Sequence, residues 1–116
     1  MQNKNNTMIE FPIRKCEGKP RPSSLDWDFV NEIMVHLQKS NQKYPDVNGK
    51  PNYWREFDSL IQQVLNSLTR HTIALNRGEY LDQESGTPHH VCIASNCMIL
   101  NKHATKFQEE LSQYHQ

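Results

Sequence analysis

The chain has no net charge and no long run of apolar residues. Its 13 basic and 13 acidic side chains cancel, and its mean hydropathy is −0.85. A neutral chain lacks the excess of positive charge with which proteins bind duplex nucleic acid or anionic membranes. No apolar stretch approaches the roughly 18 residues of a membrane span, and no signal-peptide core is present. We therefore expect a cytoplasmic protein whose partners include neither duplex nucleic acid nor a membrane.

Cysteine is also scarce. The three cysteines, Cys16, Cys92 and Cys97, are odd in number and do not form a C-x-x-C motif. A disulfide framework or a zinc ribbon needs paired cysteines at short, regular spacing. We therefore expect reduced thiols.

The spacing of the remaining apolar residues predicts an all-α fold. We expect a single domain over residues 1–116, because the chain is too short for two hydrophobic cores. Residues 1–23 show no periodicity and are predicted to form an extended arm. Three principal helices are predicted over residues 24–39, 54–77 and 87–114.

Hydroxyl side chains are expected to begin two of these helices. A serine or threonine at the N-cap accepts a hydrogen bond from an otherwise unpaired backbone N–H. Ser23 or Ser24 would cap the first helix in this way, and Ser85 or Thr87 the third.

The second helix carries the clearest apolar stripe. Its members recur at intervals of three, four and seven residues: Phe57, Leu60, Ile61, Val64, Leu65, Leu68 and Leu75. His71 continues the stripe, so its ring is predicted to point inward. Gly78 stands where a glycine commonly follows the end of a helix.

The third helix is predicted to be long. Residues spaced four and three apart form a seam of the coiled-coil type, namely Ile93, Cys97, Leu100, Ala104, Phe107 and Leu111. A continuous helix would extend about 40 Å at ~1.5 Å per residue, further than two shorter helices can cover. Self-association into a dimer or tetramer is therefore expected. His103 and His115 are interpreted as surface residues.

Chemistry-bearing residues are densest between the second and third helices. Polar groups concentrated between two apolar stripes favour a binding site over a plain loop. The candidate ligand-binding residues there are Arg70, His71, Glu79, Asp82, Glu84, Ser85 and His89.

A second group lies between the first and second helices. Aromatic faces can stack on bases, and cations can meet phosphates. These candidates are Lys43, Tyr44, Tyr53, Trp54 and Arg55.

Structural interpretations of the same residues remain open. His71 could be a core histidine whose ring is bound by Asp82 or Glu84. The loop before the third helix could simply cap it, and Trp54 could be an ordinary core residue. The coincidence of many such groups at one junction favours function.

An ordered set of short motifs resembles a phage-rich family of small helical proteins, labelled as the N-terminal domain of dATP/dGTP diphosphohydrolases. The resemblance covers roughly residues 18–100. It rests on Gly18-Lys19-Pro20-Arg21-Pro22, Lys43-Tyr44, Asn52-Tyr53-Trp54, Arg70-His71, Gly78-Glu79, Asp82, Glu84-Ser85-Gly86, His89 and Asn96. One departure is Cys92, where relatives often have a second histidine three residues after the one matching His89.

Two catalytic signatures of helical nucleotide phosphohydrolases are missing. Enzymes of the MazG type hold Mg²⁺ with carboxylates spaced one helical turn apart, so that each pair converges on the ion. This chain contains no E-x-x-E pair, and its one E-x-x-D pair, Glu79 and Asp82, falls in a predicted loop. The HD type needs adjacent histidine and aspartate, which do not occur. The sequence therefore assigns no catalytic residue, metal ligand or cofactor.

The resemblance and the missing signatures lead to a ranked set of functions. The first is sequestration of a nucleotide or cyclic oligonucleotide alarm signal, without cleavage, in the cytoplasm of a phage-infected host. The second is a metal-dependent dATP/dGTP pyrophosphohydrolase, with Mg²⁺ as its cofactor. The third is a structural or interaction module that uses the long third helix.

Overall fold

The computed structural model describes residues 18–113, which fold into four α-helices without a β-strand. The helices are α1 (Trp27–Lys43), α2 (Leu60–Asn76), α3 (His89–Lys102) and α4 (Ala104–Ser112). Short 3-10 helices, Pro22–Ser24 and Asn52–Trp54, lie ahead of α1 and α2. The all-α prediction is confirmed, whereas most of the predicted arm falls outside the described residues.

Helix α1 begins at Trp27, three residues later than predicted, because an aspartate caps it. Asp26 Oδ1 accepts hydrogen bonds from the backbone N–H groups of Asp28 and Phe29, at 3.0 and 3.3 Å. Ser23 and Ser24 belong to the preceding 3-10 helix and do not cap α1. The carboxylate also lies at the positive end of the helix dipole, which stabilises the helix start further.

The predicted stripe of α2 forms the centre of the hydrophobic core. Leu60, Ile61 and Val64 are buried together with Leu100 of α3, and Phe57, Leu65, Leu68, Ile99 and Phe107 pack around them. The helix begins at Leu60 rather than at residue 54, since Trp54 ends a separate 3-10 helix. Gly78 follows the helix with φ of 85°, a conformation in which a side chain would be strained.

The predicted long third helix is wrong as a single element, because the chain bends at His103. This residue has φ −113° and ψ 40° and separates α3 from α4. Its ring is 5% exposed and hydrogen-bonds the backbone oxygen of Tyr53, with the Glu56 carboxylate 3.8 Å away. The surface assignment of His103 is therefore wrong.

The bend also changes the role of the predicted seam. Leu100 is buried in the core and Phe107 packs against it, so two seam positions face the protein's own interior. Cys97 and Leu111 are exposed. Self-association stays a prediction, but the argument from an uncovered helix of about 40 Å does not hold.

Helix α3 is the central element of the fold. Its main partners are α2 and, on another side, α1. Helix α1 contains no fully buried residue, and it barely contacts α2. An open space therefore remains between α1 and α2, with α3 beneath it. Among the described residues, none of the helices combines the length and apolarity that crossing a bilayer requires.

Candidate functional site

The segment between α2 and α3, residues 79–88, folds into a compact loop that we call the carboxylate loop. The backbone N–H of Asp82 donates to Thr87 O at 2.8 Å, and that of His89 donates to Tyr80 O at 2.9 Å. Gly86, with φ of 72°, closes the turn by donating to Asp82 O at 2.7 Å. These bonds fold the loop back on itself, so its carboxylates lie beside the start of α3.

The open space between α1 and α2 is a cleft of about 990 Å³. Helix α1 and the carboxylate loop form one wall, α2 forms another, and α3 forms the floor. The cleft is lined by these sequence-predicted residues: Lys43, Tyr44, Tyr53, Arg70, His71, Glu79, Asp82, Glu84, Ser85 and His89. Candidates from the loop before α2 and from the segment between α2 and α3 therefore line the same cavity. Their role in ligand binding stays a prediction.

Trp54 and Arg55 do not line the cleft. The Trp54 ring is 42% exposed and lies under the Lys102 ammonium, which is 4.1 Å from the ring centroid. The Arg55 guanidinium lies 5.9 Å from the centroid of the Phe57 ring. Both side chains form cation–π contacts at the protein surface, which their sequence positions did not indicate.

His71, Asp82 and His89 come together at one end of the cleft. Each offers one potential ligand atom, and the three atoms all lie within 4.8 Å of one another. The residues belong to three elements: α2, the carboxylate loop and the first residue of α3. The three residues have no regular spacing in the sequence, unlike carboxylate pairs one helical turn apart, so the sequence did not reveal this mixed group.

The proton positions between the two histidines follow from the Glu79 contact. His89 Nε2 lies 2.7 Å from Glu79 Oε2, and His89 Nδ1 lies 2.8 Å from His71 Nδ1. In neutral His89 the proton therefore sits on Nε2, where the carboxylate accepts it. Its Nδ1 is then an acceptor, to which His71 donates its own Nδ1–H. The predicted bond from His71 to Asp82 or Glu84 is not formed.

Asp82 is held in place by Ser85. Its Oδ2 accepts from the Ser85 backbone N–H at 2.8 Å and from the Ser85 hydroxyl at 2.7 Å. Burial disfavours the charged carboxylate, but the Ser85 bonds and the nearby His71 and His89 outweigh it and lower the pKa of Asp82. Ser85 thus orders the carboxylate instead of capping α3, which starts after Pro88 without a side-chain cap.

Helix α1 contributes a histidine that sequence reasoning missed. His36 lines the cleft, and its Nδ1 lies 3.1 Å from the hydroxyl of the buried Thr87. Burial and the neighbouring His71 lower the pKa of His36. Burial likewise lowers the pKa of His71, although Asp82 opposes the effect. His36 belongs to the inner face of α1, so helical periodicity was the signal that could have revealed it.

Two lysines of α1 hold the carboxylate loop. Lys39 Nζ donates to Ser85 O at 3.2 Å, and Lys43 Nζ donates to Glu84 Oε2 at 3.1 Å. The Glu84 bond raises the pKa of Lys43. Because both partners of this ion pair are largely exposed, it adds little stability and can open for a ligand.

Arg70 is exposed at the edge of the cleft and forms no ion pair or hydrogen bond with another described residue. Side-chain amides lie across the same surface, namely Asn41, Gln42, Gln63, Asn66 and Asn96. An unpaired guanidinium suits a phosphate, and amides suit the edges of bases.

The potential metal ligands at the end of the cleft do not suit Mg²⁺ as a cofactor bound by the protein. Magnesium prefers six oxygen ligands and is usually bound through carboxylates, water and phosphates. The group of His71, Asp82 and His89 provides two nitrogens and one carboxylate. Imidazole suits Zn²⁺ and other transition metals better.

Comparison with known proteins now adds to this geometry. The family model described as dATP/dGTP diphosphohydrolase, N-terminal, matches residues 13–113. Neither a curated protein nor a solved structure matches the chain. The family match spans both walls and the floor of the cleft, and it agrees with the resemblance carried by the short motifs. The chain therefore belongs to the dATP/dGTP diphosphohydrolase N-terminal family.

Proposed function

We propose that the cleft binds a purine deoxynucleoside triphosphate and cleaves it to the monophosphate and pyrophosphate. The observation that carries this proposal is the gathering of His71, Asp82 and His89 at one end of a cleft that Arg70 borders. Cations and histidines that share a cleft with aromatic rings and amides match the phosphates and the base of a nucleotide. The proposed reaction is the one that the description of the family names, which supports this reaction class.

In this proposal the phosphates bind Arg70 and Lys39, two cations that line the cleft. Arg70 has no partner among the described residues, so a phosphate would not have to displace one. Lys39 donates only to a backbone carbonyl, which a phosphate oxygen would outcompete as a charged acceptor. Magnesium enters this scheme on the triphosphate, as part of the substrate, because the protein donor set does not favour it.

The rings of Tyr44 and Tyr53 are the surfaces on which the base stacks. Both line the cleft, Tyr44 is 54% exposed, and the Lys43 ammonium lies 5.6 Å from the centroid of the Tyr44 ring. The amides of Asn41 and Gln63 lie near enough to this surface to form part of the same lining. Base stacking on an aromatic ring contributes about 1–3 kcal/mol per base.

Hydrolysis in this arrangement needs a neutral base. A water molecule adds to the α-phosphorus, and the bond from that phosphorus to the oxygen bridging to the β-phosphate breaks. Pyrophosphate leaves with that oxygen, and the proton lost by the water passes to His36. If His36 donates Nδ1–H to Thr87, its Nε2 is free to accept. The lowered pKa of His36 keeps the ring neutral near pH 7.

A second candidate function is sequestration of a cyclic oligonucleotide without cleavage, in the cytoplasm of a phage-infected host. The size of the cleft favours it, because about 990 Å³ lies at the upper end of the range for small-molecule sites. The absence of an E-x-x-E pair from the sequence also favours it.

Phosphorus NMR of dGTP and dATP incubated with the protein and Mg²⁺ separates the two candidates. Hydrolysis predicts resonances of the monophosphate and of pyrophosphate, which Asp82→Asn should remove. Asp58→Asn is the matched control, because Asp58 is exposed and lies outside the cleft. Intact nucleotide that nonetheless binds in titration calorimetry would support sequestration. Neither cleavage nor binding would exclude both.

A further inference from the structure

We propose that His71, Asp82 and His89 form a binding site for a divalent transition metal such as Zn²⁺ or Co²⁺. Ring nitrogens of the two histidines face each other. Their Nδ1 atoms lie 2.8 Å apart, on α2 and at the start of α3. Two nitrogens bound to one zinc ion at about 2.0–2.1 Å are themselves separated by about 2.9–3.4 Å, depending on the angle. The two rings need to separate by only a few tenths of an ångström.

When His89 is neutral, its Nδ1 is in the form that binds metal. Glu79 accepts the proton on His89 Nε2, so His89 Nδ1 presents its lone pair. A carboxylate behind a ligating histidine is the usual second partner in protein metal sites, where it fixes the ring and raises its basicity. His71 reaches the same form by moving its proton from Nδ1 to Nε2, without a change in net charge.

Asp82, the third ligand, has one carboxylate oxygen without a hydrogen bond to another described residue. Both hydrogen bonds from Ser85 fall on Asp82 Oδ2, and no other described residue hydrogen-bonds the Asp82 side chain. Oδ1 is thus available as a single carboxylate ligand. The three ligand atoms lie within 4.8 Å of one another. Ligands of one tetrahedral zinc ion are about 3.4 Å apart, so binding requires the Asp82 carboxylate to move toward the histidines by up to about 1.5 Å.

Charge and access also fit this kind of ion. Asp82 and Glu79 together balance a divalent charge, which makes its burial beside two neutral imidazoles favourable. The group lines the cleft, so the remaining coordination positions face the open space and can take water or an anionic oxygen. Three protein ligands with an open position are typical of catalytic rather than structural zinc sites.

The test is a titration of tag-free, chelator-treated protein with Co²⁺, followed by its visible absorption, and then with Zn²⁺ by calorimetry. We expect one equivalent of Co²⁺ to give an absorption band that Zn²⁺ abolishes. Glu79→Gln should weaken binding by about 10- to 100-fold, because the second partner of His89 is lost. Asp82→Asn and His89→Gln should weaken it further. His90→Gln is the matched control, since His90 is exposed and outside the group.

A measurement on the wild-type protein avoids any effect of substitutions on folding. Nitrogen NMR should show Zn²⁺ shifting the ring nitrogens of His71 and His89 but not those of His103. Absence of binding at millimolar metal, or binding unchanged in both Asp82→Asn and His89→Gln, would overturn the proposal. Both measurements use the metal alone, without a nucleotide. A negative result would therefore not contradict nucleotide binding, and a failure to bind nucleotide would not contradict the metal site.

Discussion

The Nδ1 atoms of His71 and His89 lie 2.8 Å apart, although 18 residues separate the two histidines in the chain. This contact joins the last third of α2 to the first turn of α3 and fixes one end of the cleft. The Glu79 carboxylate orients the pair from the opposite side of His89. The arrangement positions two nitrogen donors and one carboxylate toward the same open space.

Replacing Arg70 by alanine should weaken nucleotide binding with little effect on stability. A lost charge-assisted hydrogen bond costs about 1.5–3 kcal/mol, or about 10- to 150-fold in affinity. Titration calorimetry with dGTP measures the change. Arg77→Ala is the matched control, because Arg77 is an exposed arginine on the same segment that does not line the cleft. Equal affinity of the Arg70 and Arg77 variants would remove Arg70 from the site.

The free energy of unfolding should decrease as the solution is acidified through the histidine range. The folded protein holds the pKa of His36 below its ordinary value of 6.5, so the unfolded chain binds more protons there. The contribution of His36 to the free energy of unfolding is therefore fully present above pH 6.5. It is lost as the pH falls from 6.5 through the lowered pKa of His36. The charged and titratable neighbours of His36 are His71, Lys39 and Asp82.

Urea denaturation across this pH range checks the expectation. His36→Gln should show a smaller decrease in the free energy of unfolding than the wild type over the same interval. The glutamine keeps a polar side chain toward Thr87 but does not titrate. An identical pH profile for the two proteins would show that His36 ionises normally in the folded state.

The thiols of Cys92 and Cys97 should differ in reactivity. Cys92 is 2% exposed, and burial raises the pKa of its thiol, whereas Cys97 is exposed. Because the thiolate is the reactive form, iodoacetamide should modify Cys97 in the native protein and Cys92 only on opening or unfolding. Mass spectrometry of the separate peptides gives both rates in one experiment. Comparable rates would mean that α3 opens readily at Cys92.

His103→Ala should destabilise the fold. Removing the ring leaves the Tyr53 carbonyl without its buried partner, which costs about 1–3 kcal/mol in addition to the lost packing. Urea denaturation measures the loss, and Gln108→Ala serves as the comparison because Gln108 is exposed on α4. A free energy of unfolding unchanged by His103→Ala would place this histidine outside the core.

Helical periodicity predicted the parts of the fold that depend on neighbours along the chain. The stripe from Leu60 to Leu68 and the glycine at Gly78 both follow from the geometry of one helix. The break at His103 did not follow, because His103 is held by a hydrogen bond to Tyr53, which is 50 residues away in the chain. Leu100 and Phe107 are seven residues apart in the sequence whether the helix is straight or bent, so their spacing could not predict the bend.

The candidate site was predictable as a region but not as an arrangement. The density of polar residues from Arg70 to His89 indicated where to look. The pairing of His71 with His89, and the contribution of His36 from α1, depend on how three helices pack. Spacing along the chain does not encode those long-range contacts. The oligomeric state likewise stays a prediction, which light scattering can measure.

The central claim is that the cleft bounded by α1, α2, α3 and the carboxylate loop is the nucleotide site. Amide NMR during titration with an α,β-methylene analogue of dGTP tests it most directly, because the analogue binds without being cleaved. The account predicts saturable shifts at residues 36–44, 52–53, 63–74 and 79–92, with α4 unaffected. No shifts at millimolar analogue, or shifts confined to residues 104–112, would contradict it.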